Sequence, residues 1–508
     1  MEKLKKIKTA LISVYNKNDI KPIVHKLNNL GITIYSTGGT YDFIKKLDVK
    51  VTSVETITSY PSILGGRVKT LHPKIFGGIL YRRNNKKDTE QIKKYEIPQI
   101  DLVIVDLYPF EETIASTNDE KKIIKNIDIG GISLIRAAAK NFNDVLVVPC
   151  SNLYKELINL LNEKKGYSSI NDRKYFAKKT FAISSDYDTS IFNYFSNNEK
   201  EYTFKKNITK HTILRYGENP HQKGIYYGDI SKLFEQLNGK VISYNNLVDI
   251  DAAFSLIDEF SKPAFAIIKH TNPCGVAIRP KLIDAWKNAL AGDPVSAFGG
   301  VIITNKILDE ETARDINKLF FEIIIAPYYK KNALKLLKSK KNRIILQKKK
   351  FHTHKKKFKS ILNGVIEQTK DLKTETIADM QTVTKLTPTE TEKNDLAFAN
   401  IIVKHSKSNA IVLVKNKQLI ASGIGQTSRV DALKQAVMKA KTFDFILKGA
   451  VMASDAFFPF PDSVEIAHKQ GIKAVIQPGG SVRDKESIDY CNNNNIAMVF
   501  TGIRHFKH

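Results

Sequence analysis

Residues 31–46, GITIYSTGGTYDFIKK, read as a single strand–turn–helix unit: a β-rich run reaches Ser36 and Thr37, passes through Gly38 and Gly39, and continues from Thr40 as a helix. A strand that feeds straight into a helix is the building block of a parallel α/β sheet, because parallel neighbours need a crossover between them. The same rhythm spreads outward. TALISVY (9–15), LVIVDLY (102–108) and VLVVPC (145–150) read as further strands, and DIKPIVHKLNNL (19–30) and GGISLIRAAAKNF (130–142) as helices between them. The glycines allow close backbone approach, and the N–H groups and hydroxyls at a helix start can hold an anion, although an ordinary strand-to-helix turn has the same composition.

This alternation predicts one α/β domain over residues 1–200. The polar stretch FSNNEKEYTFKKNITK (195–210) reads as a boundary, with a second α/β region beginning near ILRYGENPHQ (213–222). Within it AFAIIKHTNPCGVAI (264–278), a helix, VSAFGGVIIT (295–304) and EIIIAP (322–327) are loosely echoed by NAIVLVKNKQLIASG (409–423), a helix, GAVMASDAFFPF (449–460) and KAVIQPGG (473–480). The echo suggests an internal duplication. In AIIKHTNPCGVAI the apolar run is expected to end at Lys269 and His270 and to enter a loop at Asn272-Pro273-Cys274-Gly275, a place where functional groups are commonly displayed.

At 508 residues with 42% hydrophobic content, the chain is long enough for several cores. The apolar part of the N-terminus, Thr9 to Val14, is shorter than a secretory h-region and is read as the first strand; no run approaches bilayer length. Three dispersed cysteines offer neither a disulfide framework nor zinc spacing, which fits a cytoplasmic protein. The net charge of +28 invites a nucleic-acid reading. Its dispersion as single lysines between apolar positions argues instead for solvated faces or anionic small-molecule substrates. The densest run, KSKKNRIILQKKKFHTHKKKFKS (338–360), encloses the strand-like RIILQ and is expected to be an exposed hairpin or linker.

Two stretches of the first domain carry phosphate chemistry. In GGRVKTLHPKIFGG (65–78), Arg67, Lys69 and Thr70 offer a fork, a point charge and a hydroxyl to a phosphate or polarised carbonyl, unless they are merely the solvated face of a strand. In NIDIGGISLIRAAAKNF (126–142), Asp128 precedes a double glycine and a helix that it could simply cap, and Lys140 closes that helix.

The strings GGRVKTLHPKI, LYPFEET, IDIGGISLIRAAAKN, LRYGENPHQ, ISYNNLVDIDAA, KHTNPCGVA, DPVSAFGGVI, KSNAIV, GQTSRVDA, SDAFFPFPDSV and QPGGSVRD, in this order, closely resemble the bifunctional purine-biosynthesis family that joins AICAR formyltransferase to IMP cyclohydrolase. The resemblance implies a methylglyoxal-synthase-like parallel-sheet domain followed by two cytidine-deaminase-like α/β subdomains, 201–375 and 376–508. It implies a formyl transfer from 10-formyltetrahydrofolate to AICAR, with His270 as base and Lys269 as oxyanion stabiliser. Arg215, Tyr216, Gly299, Glu322, Asn409, Arg429, Phe457 and Arg504 would contact AICAR, and Asp462 and Ser481 the folate. Ring closure of formyl-AICAR to IMP is assigned to Lys69, Tyr108, Asp128 and Lys140, with Lys140 shuttling the proton and backbone N–H groups after Asp128 forming an oxyanion hole. Lys17, Thr37, Gly38, Gly39, Thr40, Arg67, Lys69, Thr70, Asp106, Asp128 and Ile129 would hold the nucleotide. A homodimer follows too, with Arg215, Lys269 and His270 from one chain meeting Asn409 and Arg429 of the other.

Zinc is not expected, because His270 is followed by Thr271 and Asn272 and Cys274 by Gly275, Val276 and Ala277, leaving neither the glutamate nor the second cysteine of a deaminase site. Cys274 reads as a buried, inert thiol, and a potassium ion near Asp455 is compatible with the resemblance. Tyr15, Phe76, Asp106 and Pro461 depart from the residues usual in the family, Ser, His, Asn and Arg. Asp106 matters most, since a carboxylate beside a phosphate repels it unless a cation intervenes. The rival readings are a nucleic-acid-binding relative or a nucleotide sensor that has kept the fold and lost catalysis, and Lys69, Lys140, Lys269 and His270 argue against both.

Overall fold

The computed structural model of the chain describes residues 4–196, 203–351 and 355–508. The expected boundary at 200/201 lies outside the described residues, as do positions 352–354 of the Lys-rich run. The chain divides into compact units Met1–Thr209 and Lys210–His508.

In the first unit, strands β1 (Thr9–Val14), β2 (Thr33–Ser36), β3 (Val51–Ser53), β4 (Leu102–Asp106) and β5 (Leu146–Val148) form a parallel sheet in the order β3-β2-β1-β4-β5. Its central strands are apolar on both faces: Ala10, Leu11, Ile12, Val103 and Ile104 are all fully buried, as expected for parallel strands covered by helices. The order reverses between β1 and β4, and the carboxyl ends of strands at such a switch point are where ligands bind in open α/β sheets. Helices α1 (Gly38–Lys45), α2 (Glu120–Lys125), α3 (Gly130–Lys140) and α4 (Ile170–Phe195) are the ones that bear on that edge. Arg67 to Thr70 belong to turns that follow a short 3₁₀ segment, Leu64–Gly66, and not to a strand.

The second unit is built on a twelve-stranded sheet. Its first half contains helix α5 (Tyr244–Ile257), the hairpin β6 (Ala264–Lys269) and β7 (Asn272–Ile278), then β8 (Val301–Thr304), β9 (Ile323–Ala326) and β10 (Ile344–Lys348). Its second half contains helix α6 (Glu390–Lys404), the hairpin β11 (Ile411–Lys415) and β12 (Gln418–Gly423), helix α7 (Arg429–Thr442), then β13 (Val451–Ser454), β14 (Ala474–Gln477) and β15 (Ala497–Phe500). The orders β7-β6-β8-β9-β10 and β12-β11-β13-β14-β15 repeat one another, with the same antiparallel and parallel pairings. The two halves join antiparallel where Ala277 of β7 faces Gln418 of β12. The echo in the sequence is therefore a duplicated strand order.

The stretch 264–278 differs from its expected form. The strand does not end in an Asn-Pro-Cys-Gly loop; it reverses at His270 and Thr271, whose φ angles are +49° and +66°, and Pro273 to Gly275 lie inside β7. Pro273 is accommodated because the register shifts at Ile267/Ile268, and a proline inside a sheet is tolerated at such an irregularity. Downstream, Lys356–Ile361 and Gly364–Thr369 form an exposed antiparallel hairpin, and RIILQ supplies β10.

Candidate active sites

A cavity of about 840 Å³ opens at the carboxyl ends of β1 and β4. Lys17, Thr37, Gly39, Thr40, Arg67, Lys69, Thr70, Asp106, Tyr108, Asp128 and Ile129 line it. Gly38 adjoins it, since a Cβ there would lie 2.7 Å from Lys69 Nζ, and its φ of +53° also demands glycine. Lys17 reaches the same turn, its Cε 3.7 Å from where a Cβ on Gly39 would stand, and its ammonium is held by the Tyr15 carbonyl at 2.9 Å. Two ammonium groups thus flank an α1 N-terminus that has no side-chain cap, a combination that suits a phosphate. The hydroxyls expected to help are engaged elsewhere: Thr37 donates to Glu55 at 3.1 Å and Thr40 to the Val14 carbonyl at 3.1 Å.

Asp128 Oδ1 accepts the Gly131 N–H at 2.6 Å. Burial pushes its carboxyl above the usual carboxylate range against the N–H groups of Gly131, Tyr108 and Ile132 and the charge of Lys69. Of the backbone N–H groups after Asp128, those of Gly131 and Ile132 are thus engaged by its own carboxylate. Both glycines sit close to site side chains: a Cβ on Gly130 would stand 3.0 Å from Thr70 Oγ1, and on Gly131 2.6 Å from Asp128 Oδ2, so that carboxylate would have to shift. Asp106 accepts the Asn16 N–H at 3.1 Å and faces Lys17; burial raises its carboxyl too.

Lys140 departs from expectation. It is exposed at the far end of α3, about 15 Å along the axis from Gly130 at 1.5 Å per residue, and does not line the cavity. Lys122 and Lys125, three apart on α2, do line it, and Tyr187 of α4 supports its floor by accepting the Asp128 N–H at 2.8 Å and donating to the Asn126 carbonyl at 2.9 Å. The helical spacing of the two lysines was the signal available for them; nothing in the sequence points to Tyr187.

In the second unit Lys269 and His270 stand at the tip of the β6–β7 hairpin. Lys269 Nζ donates to the Phe298 carbonyl at 2.7 Å and passes close over Gly299, where φ is +68° and a Cβ would lie 3.2 Å from the ammonium. His270 is exposed. Asp249 of α5, which sequence reasoning missed within YNNLVDIDAA, accepts the Thr271 N–H at 2.7 Å. Cys274 is buried, its thiol against the Ile267 carbonyl at 3.4 Å, and burial pushes it up to about 12, which suits an inert thiol.

Arg215 stacks on Tyr216 at 4.5 Å and donates to its hydroxyl at 2.6 Å. Asn409, Arg429 and Phe457 lie together. Arg429, however, is buried and donates to the Phe457 carbonyl, Ser454, Asp455 and Asn409 at 3.2, 3.2, 2.6 and 3.1 Å, which leaves at most one N–H for a substrate. Asp455 is correspondingly engaged, one oxygen accepting from Arg429 and the other from the Ser408 hydroxyl. Glu322 is paired with Lys240 at 2.9 Å, and Arg504 is exposed over Phe506. Asp462 and Ser481 make local bonds, to Ser463 N–H at 2.7 Å and to Asp484 at 3.0 Å.

The model described as "AICARFT/IMPCHase bienzyme" matches residues 138–439, and that of the "MGS-like domain" matches residues 19–133. The "Bifunctional purine biosynthesis protein PurH" of Bacteroides thetaiotaomicron is 60% identical over 100% of both chains. The protein of the same name from Aquifex aeolicus is 46% identical over 98% of this chain and 100% of its own. With a family model across more than half of its residues and such relatives along its whole length, the chain belongs to the AICARFT/IMPCHase bienzyme family.

Proposed function

We propose that the two activities of this bifunctional enzyme are divided between its two units, with cyclisation of formyl-AICAR in the first and formyl transfer from 10-formyltetrahydrofolate to AICAR in the second. The observation that carries this reading is that the residues expected for each reaction gather at separate places: Lys17, Lys69 and Asp128 around the first unit's cavity, Lys269 and His270 on the second unit's hairpin. The repeated strand order supports residues 201–375 and 376–508 as two formyltransferase subdomains after a cyclohydrolase domain over 1–200.

In the second unit the 5-amino nitrogen of AICAR attacks the formyl carbon and His270 takes the amine proton as the new C–N bond forms. Lys269 steadies the oxyanion, and the bond to folate N10 breaks as that nitrogen regains a proton. In the first unit the uncapped α1 N-terminus with Lys17 and Lys69 holds the nucleotide phosphate. Asp128, its carboxyl raised by burial, takes one carboxamide proton as that nitrogen attacks the formyl carbon; the former carbonyl oxygen then leaves as water, receiving this proton and the formamido N–H proton as the C–O bond breaks and the ring C=N bond forms. With the Gly131 amide already bonded, cationic stabilisation there falls to the lysines lining the cavity, and no step is assigned to Lys140. His270→Ala should lose formyl transfer by about 10²–10⁴-fold yet still convert supplied formyl-AICAR to IMP, whereas Lys69→Ala should do the reverse. Loss of both activities in either folded variant defeats the division.

A cytoplasmic homodimer with shared formyltransferase sites completes the reading. One observation favours a second arrangement: Asn272 Oδ1 accepts the Lys407 N–H at 3.1 Å, so the His270 turn and the loop leading to Asn409 already adjoin within one chain. Subunit exchange decides between them. A mixture of His270→Ala and Arg429→Ala enzymes should recover about a quarter of wild-type activity if sites are shared, since half the dimers are mixed and each regains one of two sites. No recovery, with exchange verified by mass, favours the one-chain grouping.

A further inference from the structure

We propose that Asp249 is a positioning residue for formyl transfer, its carboxylate clamping the turn that presents His270. This rests on the reading of His270 as the base.

The turn needs a clamp. His270 and Thr271 both lie in the left-handed region, which is costly for L residues and most of all for a β-branched threonine, and such conformations persist only where their surroundings enforce them. Asp249 Oδ1 takes the Thr271 N–H at 2.7 Å, Asn272 Nδ2 donates to the His270 carbonyl at 3.1 Å, and Lys507 Nζ donates to the Thr271 carbonyl at 3.4 Å.

The second half repeats the device. Asn416 and Lys417, with φ of +52° and +53°, join β11 to β12, and Asp395 of α6 accepts both of their N–H groups at 2.7 Å. A helix-borne aspartate under a left-handed two-residue turn is therefore a property of the duplicated fold. The halves differ in how much of the carboxylate the backbone consumes. Asp395 spends an oxygen on each of two amides, whereas among the described residues only one oxygen of Asp249 takes a backbone N–H.

The charge of Asp249 acts on Lys269 and His270 of the hairpin and on Lys407 of the loop after α6. Lys507 of the C-terminal tail lies against the same turn and itself faces Asp251, Lys357 and Lys407.

The test uses the full-length enzyme. Asp249→Ala removes the acceptor for the Thr271 N–H, Asp249→Asn keeps one, and Asp395→Ala is the control in the other half. The kcat for formyl transfer should fall by about 10²-fold in Asp249→Ala while the KM for AICAR and the conversion of supplied formyl-AICAR to IMP change little, and Asp249→Asn should recover most of it. An unchanged kcat in folded Asp249→Ala, a loss carried by KM, an equal loss in folded Asp395→Ala, or no recovery in Asp249→Asn overturns the proposal. Formyl transfer that survives His270→Ala overturns the base reading beneath it instead.

Discussion

The two halves of the second unit share one backbone plan and differ in what they display on it. In each, a hairpin turns through two left-handed residues above an aspartate, His270–Thr271 over Asp249 and Asn416–Lys417 over Asp395. In each, the lysine just before the turn donates to a carbonyl three residues ahead of the next strand: Lys269 to Phe298 at 2.7 Å, Lys415 to Lys448 at 2.8 Å. In each, a glycine of the hairpin's second strand lies where a Cβ would run into a helical carbonyl, Gly275 against Ala289 and Gly423 against Ala432. What the second half lacks is the imidazole. The position of Lys269 thus belongs to the fold, whereas the imidazole of His270, the base in the formyl transfer proposed above, is carried by only one of the two turns.

If the two backbones are equivalent, substituting either glycine should be equally damaging. Gly275→Ala and Gly423→Ala each force a methyl into backbone that cannot step aside as a side chain would, at a cost of about 1–3 kcal/mol or more. Thermal unfolding should show comparable drops in Tm for both. A large drop for one and none for the other would break the equivalence.

A smaller effect sharpens how the halves are joined. Glu259, just beyond α5, reaches across to the end of α6, where Lys404 Nζ lies at 2.7 Å and His405 Nε2 at 3.0 Å, and to Thr374 at 2.6 Å. Burial alone would raise its carboxyl, but hydrogen bonds from His405, Lys404 and Thr374 outweigh that and hold it at about 2, below the usual 4.5. An acid so lowered contributes stability that is fully present above about 4.5 and is lost as pH falls towards about 2. Glu259→Gln should therefore unfold in less denaturant than wild type at neutral pH, and the gap should close over that acid window. A gap independent of pH would mean that shape and not charge holds the junction.

Much of this was legible in the chain. The period-two and helical patterns marked strands and helices wherever each buries an apolar face, and Gly38-Gly39 and Gly130-Gly131 flagged two helix starts that line the first cavity. The duplication showed as an echo of two apolar hairpins. The turn at His270 was misplaced because Pro and Gly are the usual turn signals, yet here Pro273 rides a register shift and Gly275 serves close packing.

By itself, then, the sequence determined the fold class, the repeat and the residue types available for chemistry, since local periodicity and turn composition act over a few residues. Only the tertiary structure decided which of those residues meet. It removed Lys140 from the cavity because one helix is long enough to carry its two ends apart, and it brought in Tyr187, 59 positions from Asp128, through a hydrogen bond. It set Asp249 under a turn 22 residues away and turned the Gly131 amide onto the Asp128 carboxylate. Such pairings depend on through-space distance and burial, which residues adjacent in sequence do not encode.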